Sequence, residues 1–107
     1  MKVCLYARVA CSNQLALVRQ VKKLKAFSGE HGIDVVDAAA EFGSGIRADR
    51  PELTRVEALA AEGKIDAVVV TDISRLFRSA PLYFEFARRM QDCGVKIFEL
   101  DRLQRLL

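Results

Sequence analysis

The 107 residues contain no apolar run approaching the roughly 20 needed to cross a bilayer. A membrane-embedded protein is therefore not expected. Met1 leads straight into Lys2, Val3, Cys4, Leu5 and Tyr6 without a signal-peptide core, so the expected location is cytoplasmic. Cysteine is sparse: Cys4, Cys11 and Cys93 are odd in number, far apart and form no CxxC pair. With His31 as the one histidine, no metal-ligand set can be assembled, and neither a metal nor another cofactor is expected. No Gly-Lys-Ser or Gly-Lys-Thr occurs, which excludes a P-loop. The first turn, residues 8–13, lacks the glycines that let a pyrophosphate approach the backbone of a dinucleotide-binding fold. Gly43 and Gly45 flanking Ser44 are too weak a motif to replace them.

What is present suits one compact domain. Hydrophobic residues make up 51% and charged residues 29%, enough for a single core. Seventeen Lys and Arg against fourteen Asp and Glu give a net charge of +3, which permits contact with nucleic acid. Val3 to Val9 reads as a strand, and Ser12 or Asn13 as the cap of a helix from Gln14 to about Gly32. Leu15, Val18, Val21, Leu24 and Phe27, three residues apart, predict the buried stripe of that helix. A second strand is expected over residues 33–41, then a loop over 43–49. Asp49 and Glu52 around Pro51 form a capping-box pattern for a helix carried by Leu53, Val56 and Leu59 up to Gly63. Residues 65–70 are continuously apolar apart from Asp66, as a central parallel strand should be. Pro81 starts a helix with Leu82, Phe86 and Met90, and residues 95–100 supply a fourth strand. The order predicts an α/β fold: a mostly parallel four- or five-stranded sheet with helices on both faces. Residues 1–100 would form the domain and 101–107 the start of a C-terminal helix.

In such a sheet, ligands bind beyond the carboxyl ends of the strands. Three segments reach that edge: 8–12, 41–50 and 72–78. They carry Arg8, Arg47, Arg50, Arg75 and Arg78 with Ser12, Ser44 and Ser74. Guanidinium is permanently charged and its planar fork matches phosphate oxygens, so the edge is expected to bind phosphate. Elsewhere the expectations are structural. His31 belongs to a helix C-terminus, Tyr83, Phe84 and Phe86 to core and contact surface, and Phe77 to a core or interface anchor.

These blocks together resemble the catalytic domain of serine recombinases, the resolvase and invertase group. Tyr6 to Val9 followed by Ser12, Asn13 and Gln14 is similar to that family's first strand and active-site turn, with Leu17 and Gln20 in the next helix. Residues 43–45, 50–53, 63–66 and 75–78 are similar to its later signatures in the same order, and the resemblance spans about residues 2–100. It implies DNA as partner, a homo-oligomer (dimer or tetramer) and metal-free transesterification, in which a serine hydroxyl attacks a DNA phosphate to form a phosphoseryl link. Arg8, Arg50, Arg75 and Arg78 match positions that stabilise the five-coordinate phosphorus. Ser44 matches an orienting loop hydroxyl, and Gln14 a polar residue just inside the first helix.

The departures are as specific. The position matching the nucleophile is Ala10, which has no nucleophilic atom, so this form is expected to be inactive. Ser12 and Cys11 are the nearest substitutes. Ser74 replaces the acidic residue before Arg75, with Asp72 a stand-in, and Glu41 stands where aspartate is usual. The family's long dimer-forming helix and DNA-binding domain are not expected in this chain, and a degenerate, non-catalytic oligomerisation or regulatory module is the alternative.

Overall fold

The structure, a computed structural model, describes residues 1–47 and 49–102. Four strands, β1 (Lys2–Val9), β2 (Asp34–Phe42), β3 (Ala67–Val70) and β4 (Lys96–Glu99), form one sheet in the order β2-β1-β3-β4, with every pairing parallel. Helices α1 (Gln14–Glu30), α2 (Pro51–Ala61) and α3 (Ala80–Asp92) make the crossovers, and a short 3-10 turn occupies Ile73–Arg75. Residues 100–102 enter a further helix. The rest of the expected C-terminal helix, 103–107, lies outside the described residues.

Both central strands bury both faces, and their side chains alternate between two cores. Cys4, Tyr6, Val68 and Val70 pack with Leu53, Val56 and Ala60 of α2 and Phe86 and Met90 of α3. Val3, Leu5, Ala7, Ala67 and Val69 pack with Leu24 and Phe27 of α1. So α1 covers one face alone while α2 and α3 cover the other. The chain therefore reverses its winding between β1 and β3, the place where such sheets open a crevice. Pairing agrees: β1 runs beside β2 over its whole length, but meets β3 only at Val3, Cys4 and Leu5.

Two expectations need correction. The stripe of α1 is not the three-residue series, since Leu15 is 58% and Val18 40% exposed. A strict step of three drifts about 60° around a helix each time, so five such residues cannot share a face. The buried face instead uses Gln20, Leu24, Phe27 and Ser28, flanked by Leu17 and Val21. The second correction concerns the start of α2. Asp49 makes no cap; it pairs with Arg47, and Arg50 at the cap position offers no side-chain bond. The Glu41 carboxylate, from the end of β2, accepts from the amides of Glu52 at 3.0 Å and Leu53 at 3.1 Å. A remote acid thus satisfies two of the helix's orphan donors and meets its positive end. Of the three neighbouring aromatics, Phe86 is buried, Tyr83 packs at the core's margin and Phe84 is exposed.

Asn13 caps α1 through Ala16 N at 3.0 Å, and Ser79 caps α3. His31 is the C-cap of α1, its ring centroid 4.3 Å from that of Phe27. Among the described residues, no helix is long and apolar enough to cross a membrane.

Candidate active site

β1 ends at Val9, and Ala10, Cys11 and Ser12 follow as an exposed bend leading to Asn13. Gln14 opens α1 with its side chain exposed. Alternation along β1 sends Arg8 to the same side as Cys4 and Tyr6, beneath the loops that follow β2 and β3.

There Arg8 is fully buried. Its Nε donates to the Arg75 carbonyl at 2.8 Å, Nη1 to the Gly43 carbonyl at 2.7 Å and Nη2 to the Ser74 carbonyl at 2.7 Å. One guanidinium thus ties two loops to the end of β1. Its backbone is held as firmly: Arg8 N donates to Gln20 Oε1 at 2.9 Å and Gln20 Nε2 donates to the Arg8 carbonyl at 3.1 Å. The Gln20 amide takes the place of a neighbouring peptide where β3 has parted from β1. Sequence reasoning placed Gln20 in the helix but missed this role; the signal was a glutamine between Leu17, Val21 and Leu24 on a buried face.

Arg50 is the second buried guanidinium, 2% exposed. It bonds the Leu76 carbonyl, reaches the Ser44 carbonyl at 3.4 Å and lies over the rings of Phe77 at 4.6 Å and Tyr6 at 5.8 Å. Its Nε has no partner among the described residues. Burial lowers the pKa of Arg8, with Arg50 adding repulsion; burial also lowers that of Arg50, against the opposing pull of Tyr6 and Glu41.

The remaining candidates are more open. Arg75 is half-buried, its Nη1 donating to the Arg8 carbonyl at 3.3 Å and its Nε 3.7 Å from Asp72 Oδ2. Arg78 is exposed; its backbone N donates to the Gly45 carbonyl at 2.8 Å. Ser44 Oγ accepts from Ile46 N at 3.3 Å, folding the loop on itself. Arg47 points outward against Asp49 and does not join the buried pair. Asp72, the expected stand-in acid, caps the 3-10 turn by accepting from Ser74 N at 3.0 Å and also takes the Ser74 hydroxyl. The structure therefore brings Arg8, Ser44, Arg50, Arg75 and Arg78 to one edge, but turns Arg8 and Arg50 inward onto carbonyls.

The whole constellation lies within a match to the family described as "Resolvase, N terminal domain", which covers residues 3–105. The chain belongs to that family. Its fold is likewise that of serine recombinase catalytic domains. The C-terminal catalytic domain of ISC1926 TnpA, an IS607-like serine recombinase, superposes with a TM-score of 0.87 at 29% identity, over 99% of this chain and 75% of that one. A resolvase family site-specific recombinase from Streptococcus pneumoniae gives 0.82 at 28%, over 95% and 73%. The catalytic domain of IS1535 TnpA, also IS607-like, gives 0.75 at 30%, over 94% and 74%.

Proposed function

We propose that this resolvase-family domain engages the DNA backbone through its arginine edge but does not cleave it in this form. The observation that carries the reading is Ala10: the bend after β1 presents a methyl group where the resemblance implies a serine hydroxyl. Transesterification needs an oxygen there to attack phosphorus, and a displaced neighbour is a poor substitute because small misplacements of a nucleophile lower rate steeply. Ser12 lies two residues further along an exposed bend. Arg75 and Arg78, half-buried and exposed, are the donors able to meet a phosphate directly, with Gln14 and Arg47 at the margin. Arg8 and Arg50 set the loops that carry them. The partner would be DNA, bound by a homo-oligomer, and no metal enters the scheme.

A second reading, a non-catalytic module that pairs with another recombinase subunit, is favoured by the same inward-turned guanidinia of Arg8 and Arg50. Ala10→Ser separates the two. The substitution is incubated with a nicked DNA duplex and analysed for a denaturation-resistant protein–DNA adduct. An adduct establishes that the remaining groups are assembled for phosphoryl transfer; its absence, in a variant that still binds DNA, supports the non-catalytic module.

A further inference from the structure

The winding reversal between β1 and β3 opens a crevice of about 270 Å³ at the carboxyl end of the sheet, on the α1 side. This is the opposite face from the buried guanidinia of Arg8 and Arg50. Its walls carry Arg19 and Lys23 from α1, and Thr71, Asp72 and Arg75 from the end of β3 and the turn beyond, with Asp101 at the rim.

We propose that this crevice is a binding site for a phosphate-type oxyanion, separate from the arginine edge and sharing only Arg75 with it. Thr71 is 6% exposed, yet among the described residues its hydroxyl has no hydrogen-bond partner. Buried polar atoms are nearly always paired, so an unpaired hydroxyl on the wall of a polar crevice points to a ligand atom. The charges agree. Asp101 faces Lys23 at 2.9 Å and Asp72 faces Arg75 at 3.7 Å, so each acid is met by a cation. Arg19 is in excess. A cation would meet net repulsion, whereas an oxyanion gains the Thr71 hydroxyl and two guanidinium forks arriving from different elements. Donors converging from separate directions suit a tetrahedral group better than a planar carboxylate. The volume admits such a group with a few waters, each occupying about 30 Å³.

The ligand can be a free phosphate or a phosphodiester of bound DNA, and two variants distinguish these without touching the arginine edge. Thr71→Val keeps the shape and removes the hydroxyl; Arg19→Gln removes the excess charge. Inorganic phosphate is titrated into the protein and both variants at constant ionic strength, with melting temperature and amide chemical shifts recorded. A short oligonucleotide lacking terminal phosphates is titrated in parallel. The wild type should be stabilised by phosphate with shifts at Thr71, and each variant should bind it about tenfold more weakly. Without phosphate, Thr71→Val should melt at or above the wild type, because an unsatisfied buried hydroxyl has been removed. A parallel loss of oligonucleotide affinity identifies a DNA phosphodiester as the ligand; unchanged oligonucleotide affinity identifies free phosphate. Phosphate binding equal in all three proteins overturns the proposal and places the anion on the arginine edge instead.

Discussion

The Tyr6 hydroxyl donates to Glu41 Oε2 at 2.5 Å, and that carboxylate also accepts the first free amides of α2. One buried acid therefore joins β1, β2 and α2 directly beside Arg50. Burial and the bond to Glu41 push the Tyr6 phenol far above its ordinary pKa, so it stays a donor.

Removing that acid should be costly. Glu41→Ala strands a buried phenol and two helix amides, and is expected to destabilise by about 2–4 kcal/mol in urea unfolding. Tyr6→Phe should lose about 1 kcal/mol. Asp49→Ala, which removes only an exposed pair with Arg47, should stay within about 0.5 kcal/mol. Equal losses for Asp49→Ala and Glu41→Ala would contradict the remote cap.

Arg8→Lys keeps the charge and loses the fork. A single ammonium cannot serve carbonyls of Gly43, Ser74 and Arg75 in the plane that the guanidinium spans. A loss of about 3 kcal/mol or more is expected. A loss below about 1 kcal/mol, read from chemical denaturation, would show that the carbonyls find water and that the clamp is weak.

The glycines of the second loop are set by contact with these arginines. A Cβ on Gly45 would lie 2.8 Å from Arg78 Cγ and 2.9 Å from Arg8 Nη2, whereas one on Gly43 meets Arg50 at 3.2 Å. Gly45→Ala should therefore destabilise by about 1–3 kcal/mol, and more than Gly43→Ala. Gly29→Ala in α1 meets nothing within 4 Å and should stabilise by about 0.5–1 kcal/mol. Melting curves of the three variants should fall in that order.

Thiol chemistry should divide the cysteines. Cys11 and Cys93 are exposed, while Cys4 is buried and its thiol is pushed up from 9.0 to about 11. Two thiols should react with a disulfide reagent in the native protein, and the third only on unfolding. Between pH 9 and 11 the unfolded Cys4 ionises while the folded one does not. Stability is thus complete below pH 9 and falls as pH rises to 11, by about 2 kcal/mol at most from this group. Cys4→Ala should flatten that slope, leaving the part that comes from Tyr6.

The order and approximate bounds of all four strands and three helices were legible, because each carries its own hydrophobic period and its own stop. Gly32, Gly63 and Gly94, all at positive φ, end the three helices where a left-handed residue is required. What was not legible depends on partners distant in the chain. The cap of α2 comes from Glu41, ten residues before Pro51, while a plausible local pattern at Asp49 and Glu52 competes with it. The arginine edge was legible as a place but not as a presentation: sequence assigns Arg8 and Arg50 a charge, and only the packed loops give their guanidinia carbonyls instead of solvent. Gln20 was legible only as a position in the first helix, because the peptide it mimics is absent only after β1 and β3 separate. The 3-10 turn at Ile73–Arg75 is too short to carry a period at all.

The three-carbonyl clamp of Arg8 gives this arginine a structural role independent of any reaction. Under the proposed reading a copy without a hydroxyl at position 10 would not cleave, yet folding alone would still favour arginine at 8 and 50 and glycine at 45. On that reading these arginines and this glycine alone would not tell an active copy from a silent one.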